Sequence, residues 1–203
     1  MRTEVSIELI KRLRERTGAG VLDCKRALME AGGDLERAEE ILRARGAAVA
    51  ERRAGKEAKE GLIEAYIHTN GRYGSLVEVN CETDFVARTD EFKKLAKEIA
   101  IQVVAMSPKY VSREEVPEEE RRKQEELFRK EAERQAQGKP PQVIERIVQG
   151  RMEKWYSEVC LLDQPYFRDE GKSVRELVEE AMAKLGEKIV VRRFVRFELG
   201  EAL

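Results

Sequence analysis

Apolar residues recur every three or four positions in three short blocks near the start of the chain, which is the spacing of one helix face. Each block ends at glycine, around residues 17–20, at residues 32–33 and at Gly46. Asp34 directly precedes the third block and is a typical N-cap residue. The pattern predicts three short helices within residues 6–46, in a small bundle whose core is marginal by itself.

The apolar stripe disappears over residues 47–60, where charged residues and alanines take over. This loss predicts a linker with some helical content. We therefore expect a three-helix N-terminal module over residues 1–50 and a core domain, which also carries the dimer contact, over residues 51–203.

Runs rich in Ile, Val and Tyr flank Asn70-Gly71 and predict a β-hairpin, because Asn-Gly is a strong hairpin signal. The run KIVVRRFVRFEL at residues 188–199 has the pattern of a long strand that completes a three-stranded antiparallel sheet with the hairpin. This last strand is expected to be apolar on both faces, with Ile189, Val191, Val195 and Phe197 on one and Val190 and Phe194 on the other.

Helical spacing returns in the remaining segments. One apolar stripe covers residues 92–106, and a capping box begins a last helix over residues 173–185. Pro117 and Pro141 each suit a first helical turn and, with a break at Gly138, predict a helical hairpin. The whole pattern predicts an α+β fold: a three-helix module, then a core with a three-stranded antiparallel sheet, flanking helices and the hairpin.

Composition narrows the class of protein. Charged residues make up 39% of the 203 residues, but the net charge is only −1 and the signs alternate along predicted helices, as on solvated helix faces. Three cysteines far apart argue against a disulfide framework or a zinc site. The start of the chain lacks the apolar region of a signal peptide, and no apolar run is long enough to span a bilayer. We expect a cytoplasmic protein without a membrane partner.

No set of residues has the spacing of a catalytic or metal site. The single histidine, His68, stands in a predicted strand, where a sheet-face role is far commoner than catalysis. Gly18 and Gly20 begin a GxGxxG pattern, but Asp23 occupies the third glycine position and no strand precedes it. A P-loop motif is absent. We expect no enzyme activity, no catalytic residue, no metal and no cofactor.

The stretch NCETDFVAR, from Asn80 to Arg88, joins a predicted strand to a predicted helix and sets an acid beside a phenylalanine. Taken alone, it favours Phe85 in the local core and Asp84 as the cap of a short turn, because strand-to-helix joins often have this form. The alternative is a wedge that enters another protein.

Three segments resemble the elongation factor Ts family. They are residues 13–46, with TGAG followed by DCK; residues 61–88, which end in NCETDFVAR; and residues 150–167 with 185–201. The resemblance covers nearly the full chain. It implies a guanine nucleotide exchange factor for elongation factor Tu in translation elongation, with an N-terminal module related to ubiquitin-associated domains.

The resemblance also implies which residues touch the GTPase. In this family a Thr-Asp-Phe-Val segment enters the nucleotide-binding domain of the partner and disturbs its magnesium and phosphate region, which corresponds here to Thr83, Asp84, Phe85 and Val86. One buried Phe supplies about 1.5–3 kcal/mol. A thousandfold faster GDP release needs roughly 4 kcal/mol. A second anchor is therefore expected in the N-terminal module, at Thr17, Gly18, Gly20, Val21, Leu22 and Asp23.

One departure from the family concerns oligomeric state. Longer members carry a second subdomain with its own sheet, whereas this chain has sequence for one sheet only. A small sheet with two apolar faces needs a partner on one of them. We therefore expect a homodimer.

Two other functions fit part of the sequence. A pure binding module would grip a ubiquitin-like or nascent chain, and the Thr83–Val86 segment would then be structural. An RNA-binding protein would use Arg192, Arg193 and Arg196 around Phe194. The balanced charge favours basic residues on an exposed strand face instead, so we expect no direct nucleic-acid partner. Measuring GDP release from elongation factor Tu with and without this chain distinguishes the exchange factor, the binding module and the RNA-binding protein.

Overall fold

The computed structural model describes residues 5–136, 138 and 140–201. The first four residues of the predicted N-terminal module and the last two of the predicted core domain lie outside these ranges. The described residues form two compact units. One comprises the chain up to Glu64 with Glu78–Lys97 and Arg175–Val191, and the other comprises Ala65–Val77, Glu98–Val174 and the chain from Arg192 on. The proposed domain boundary near residue 50 stays a prediction.

Helices and strands occur largely in separate runs along the chain, as in an α+β protein, which confirms the predicted fold class. The helices are α1 (Ile7–Thr17), α2 (Val21–Glu30), α3 (Leu35–Arg53), α4 (Asp84–Ala87), α5 (Asp90–Met106), α6 (Glu118–Gln135), α7 (Pro141–Val159) and α8 (Val174–Leu185). The strands are β1 (Glu60–Ile67), β2 (Tyr73–Cys81), β3 (Pro165–Tyr166), β4 (Asp169–Ser173) and β5 (Ile189–Glu198).

The three N-terminal helices begin and end largely where the sequence predicts. Ser6 caps α1 through a hydrogen bond that its hydroxyl accepts from the Leu9 N–H, and Asp34 caps α3 by accepting from Arg37 N–H at 3.0 Å. Their shared core consists of Leu13, Cys24, Ala27, Leu28, Ala31 and Ala38. The bundle is small, as its short apolar blocks imply.

The predicted end of the third helix at Gly46 is wrong, because α3 continues to Arg53. Gly46 is buried, and a Cβ built on it would lie 3.5 Å from the carbonyl oxygen of Glu179 in α8. A Cβ at this distance would make an ordinary van der Waals contact, so Gly46 is an internal helix residue and does not mark a helix end. The non-helical part of the predicted linker shortens to residues 54–59.

The predicted three-stranded sheet is confirmed, with the order β1-β2-β5 and antiparallel strands. The structure adds a second, two-stranded antiparallel sheet of β3 and β4, which the sequence did not predict. These two strands are short, and β4 (DEGKS) lacks the apolar alternation by which strands are recognised.

The burial of the two predicted faces of β5 changes along the strand. On the predicted face of Ile189, Val191, Val195 and Phe197, the first two side chains are buried and the last two are exposed. On the other predicted face, Val190 and Phe194 are half-buried.

The helical hairpin of α6 and α7 belongs to the second unit and packs around Val116, Ala132, Val148, Met152, Trp155, Val159 and Cys160. Helix α7 ends at Val159, and a short 3-10 turn at Leu161–Asp163 follows. Gly186 ends α8 as predicted, with a φ of +73°. None of the helices among the described residues is both long and apolar enough to cross a membrane.

Candidate partner-binding site

The segment after β2 makes a single helical turn that projects from the fold. Strand β2 ends at Cys81, and α4 occupies only Asp84–Ala87. Thr83 is the N-cap, and its hydroxyl oxygen accepts a hydrogen bond from the Val86 N–H at 3.4 Å. Ala87, on the opposite side of the turn, is buried and ties α4 to the unit beneath it.

Phe85 lies on the outer side of this turn with 88% of its surface exposed. The interpretation of Phe85 as a core residue is therefore wrong. Asp84 is also exposed and forms an ion pair with Arg88 at 2.5 Å, one turn further on. Val86 is half-buried. The turn thus presents an aromatic ring and a carboxylate side by side to the solvent.

Two hydrogen-bonded carboxylates join the start of this turn to the segment after α8. The Glu187 carboxylate accepts from the N–H groups of Glu82 and Thr83 and from the Thr83 hydroxyl. In return, the Glu82 carboxylate accepts from the Lys188 N–H at 2.7 Å and forms an ion pair with Arg53 at 3.0 Å. Sequence reasoning missed all of these partners, because 104 residues separate Glu187 from Thr83 and no local pattern joins them.

The Cys81 thiol directly beneath the turn is not a nucleophile. It is buried and donates to the Thr83 carbonyl oxygen at 3.2 Å. Burial, with the nearby Glu187 carboxylate as a smaller contribution, raises the pKa of Cys81 to about 11. The thiol therefore stays protonated near neutral pH.

The six predicted N-terminal residues lie at the end of α1, in the short connection and in the first turn of α2. Gly18 ends α1 with a φ of +67°, and its N–H donates to the Arg14 carbonyl oxygen at 2.8 Å. The Thr17 hydroxyl donates to Leu13 O at 2.7 Å and accepts from Ala19 N–H at 3.3 Å. A left-handed conformation of this kind favours glycine.

The first turn of α2 then exposes two apolar side chains. Val21 is 50% exposed and Leu22 is 68% exposed, next to an exposed Asp23. Gly20 is the N-cap and supplies no side chain, and a Cβ built on it would lie 3.2 Å from the Asp23 carboxylate. This turn and the Phe85 turn both belong to the first compact unit.

The described residues contain no cluster of His, Cys, Asp or Glu able to hold a metal ion. His68 accepts or donates a 3.0 Å hydrogen bond with the Tyr66 hydroxyl at the edge of an open cavity of about 670 Å³ in the second unit. The exposed apolar turns remain the candidate site.

Comparison with known proteins identifies the family of this chain. The family described as "Elongation factor TS" matches residues 24–201. The chain belongs to the elongation factor Ts family. A protein named elongation factor Ts from Thermoanaerobacter sp. (strain X514) is 57% identical over 199 residues, covering 98% of this chain and 97% of the relative.

Other members of the elongation factor Ts family are similar over the same length. The protein from Thermotoga neapolitana is 58% identical over 198 residues, covering 98% of both chains. The protein from Desulforamulus reducens is 52% identical over 200 residues, covering 98% of this chain and 91% of the relative. The resemblance seen in the sequence motifs is therefore confirmed along nearly the whole chain.

Proposed function

We propose that this chain is a guanine nucleotide exchange factor that binds elongation factor Tu with bound GDP and promotes GDP release, so that GTP can bind. Membership of the elongation factor Ts family supports a nucleotide exchange role in translation elongation. The observation that carries the proposal is Phe85, which is 88% exposed on a one-turn helix whose start is tied down by hydrogen bonds. The protein acts in the cytoplasm, without covalent chemistry, cofactor or nucleic acid of its own.

The mechanism is a wedge. Magnesium and phosphate contacts hold a nucleotide through charge and closely spaced donors, so a small displacement of either weakens the binding of GDP strongly. The Phe85 ring gains its burial only in a partner pocket that has opened, and the Asp84 carboxylate next to it adds negative charge near the metal. Since coupling between two ligands is reciprocal, the factor weakens GDP binding and GDP weakens binding of the factor.

The free energy required exceeds what one ring supplies. Burial of a Phe is worth about 1.5–3 kcal/mol, and a thousandfold acceleration needs roughly 4 kcal/mol. The exposed Val21 and Leu22 on α2 supply the missing part when they are buried against the same GTPase. Thr17, Gly18, Gly20 and Asp23 shape the turn that presents them.

We infer that the working form is a homodimer. The strands within the second unit carry exposed apolar residues, Ile67, Leu76, Val195 and Phe197. On β2 the neighbours of Leu76 are buried, so its exposure belongs to one face of the sheet. Exposed apolar side chains on a sheet are typical of a surface covered by a partner, and a twofold axis lets such a surface cover its own copy.

The proposal is tested by GDP release from elongation factor Tu, followed by fluorescence of a labelled GDP, with the wild-type chain and with Phe85→Ala. We expect exchange to fall at least about tenfold, because the loss of the wedge removes roughly 1.5–3 kcal/mol, while the melting temperature stays the same. Leu127→Ala is the matched control, since Leu127 is also an exposed apolar residue and lies on α6.

Two outcomes would contradict the proposal. If the wild-type chain leaves GDP release unchanged, the protein is a binding module and not an exchange factor. If Phe85→Ala lowers the melting temperature strongly while activity per folded molecule is unchanged, the ring stabilises the fold and the proposed wedge role of Phe85 is wrong.

A further inference from the structure

The backbone that carries Phe85 is anchored at one point by a single distant side chain. Glu187 Oε2 accepts from the N–H groups of Glu82 at 3.1 Å and Thr83 at 3.0 Å. Its other oxygen, Oε1, accepts from the Thr83 hydroxyl at 2.6 Å. One half-buried carboxylate thus binds two consecutive backbone donors and the N-cap side chain of α4.

The contact between residues 82–83 and 187–188 consists of hydrogen bonds in both directions. Glu82 accepts from the Lys188 N–H at 2.7 Å, so residues 82–83 and 187–188 each satisfy the backbone of the other. The Arg53 guanidinium holds Glu82 in place, with N–O distances of 3.0 and 3.2 Å. We call these four residues, Glu82, Thr83, Glu187 and Lys188, the carboxylate clasp.

A one-turn helix depends on such an anchor. The first N–H groups of any helix lack partners within the helix, and a single turn is not stable alone. Within α4 the backbone hydrogen bonds run from the N–H groups of Val86, Ala87, Arg88 and Thr89 to Thr83, Asp84 and Val86. Thr83 therefore connects the turn to β2, and it is held by the Cys81 thiol at its carbonyl oxygen and by Glu187 at its N–H and hydroxyl groups.

We propose that Glu187 is a positioning residue for the exchange reaction, fixing the Thr83 end of α4 so that Phe85 points outward in one orientation. This inference rests on the proposed wedge function of Phe85. Glu187 itself touches no nucleotide and acts only through the backbone of Glu82 and Thr83. Preorganisation of this kind lowers the conformational entropy lost when Phe85 enters the partner.

A positioning role and a general stabilising role predict different results. A residue that only stabilises the fold would affect exchange to the same degree whether or not the Phe85 ring is present. A residue that acts through Phe85 loses its effect once the ring is gone, and the two substitutions are then not additive.

The test uses Glu187→Ala and the milder Glu187→Gln, which keeps the shape and one accepting oxygen. Glu57→Ala is the control, because Glu57 is an exposed carboxylate whose ion pair is with Lys59. Hydrogen exchange of the free protein should show faster exchange at the amides of Glu82 and Thr83 in Glu187→Ala, and no change in Glu57→Ala.

GDP release from elongation factor Tu gives the second readout. We expect Glu187→Ala to slow the maximal exchange rate by about tenfold, the equivalent of one hydrogen bond to a charged group. Glu187→Gln should be intermediate, and it keeps the test valid if the alanine variant folds poorly. In the Phe85→Ala background, Glu187→Ala should have less than a twofold further effect.

The outcomes separate this inference from the proposed function. Full protection of the two amides in Glu187→Ala, or an undiminished tenfold effect without the Phe85 ring, would overturn the positioning role while the wedge stands. Normal exchange by Phe85→Ala alone would overturn the wedge and with it the positioning role, even where loss of amide protection showed that Glu187 anchors Thr83.

Discussion

A phenylalanine ring left in water forgoes about 1.5–3 kcal/mol of burial, and Phe85 is 88% exposed. The exposed ring is next to Asp84, a charged side chain that favours solvent. The solvent-facing position therefore suits the Asp84 carboxylate but leaves the Phe85 ring without apolar burial. At the scale of single residues, the interpretation of Phe85 as a core residue therefore fails, because the ring and the carboxylate both face solvent. The carboxylate of Asp84 therefore needs a separate test from the ring.

Asp84→Ala should weaken exchange with little change in melting temperature. Its ion pair with Arg88 is exposed on both sides, and exposed pairs contribute about 0–1 kcal/mol to stability. Arg88→Ala breaks the same pair and leaves the carboxylate in place, so it serves as the matched control. GDP-release kinetics on both variants decide the matter. Equal loss of activity in the two would mean that the ion pair matters and the free carboxylate does not.

At the scale of helices and strands, two glycines differ in whether the backbone requires glycine at their position. Gly46 lies inside α3, where a Cβ would meet Glu179 O at an ordinary 3.5 Å. Gly61 in β1 has a φ of +143°, and a Cβ there would lie 2.1 Å from Val79 O. The first glycine is a helix residue with room for a methyl group, and the second is required by its backbone and its close neighbour.

We expect opposite signs for the two alanine variants. Gly46→Ala should stabilise the protein by about 0.5–1 kcal/mol, because alanine loses less backbone entropy in a helix. Gly61→Ala should destabilise it by roughly 1–3 kcal/mol from backbone strain alone. Chemical denaturation gives both free energies of unfolding. A destabilised Gly46→Ala would show that α8 cannot move away from the added methyl.

At the scale of the whole molecule, the exposed end of β5 carries the proposed dimer contact. Phe197 is 63% exposed, and Val195, two residues before it, is 50% exposed. Ile189 and Val191 on the same predicted face are buried, so this face is covered at the start of β5 and uncovered at its end. The proposed dimer rests on the uncovered side chains.

Phe197→Glu should therefore convert the proposed homodimer to a monomer at micromolar concentration, because a charge would be buried in an apolar interface. Light scattering coupled to size exclusion measures the mass. Leu127→Glu, on the exposed side of α6, should leave the mass of the assembly unchanged. A wild-type chain that is already monomeric and fully active in exchange would refute the dimer.

Much of the fold could be predicted because its signals are local. A helix start such as Asp34 acts on an N–H three residues away, and the three long strands alternate or run apolar over enough residues to be recognised. Prediction failed where a distant segment decides the outcome. Helix α3 continues through Gly46 to Arg53, where it lies close to α8, and β4 is a strand through its pairing with β3.

The chain's own pattern was sufficient for the fold class and for the order of the helices and the three long strands, because spacing along the chain carries that information. The candidate residues from Thr17 to Asp23 and from Thr83 to Val86 came instead from the resemblance to the elongation factor Ts family. The pattern could not decide whether Phe85 is buried, because burial depends on which surfaces meet. Nor could it find Glu187, whose partner Thr83 is 104 residues away. Folding alone brings that carboxylate to the N-terminus of α4, where hydrogen bonds that act over about 3 Å can form.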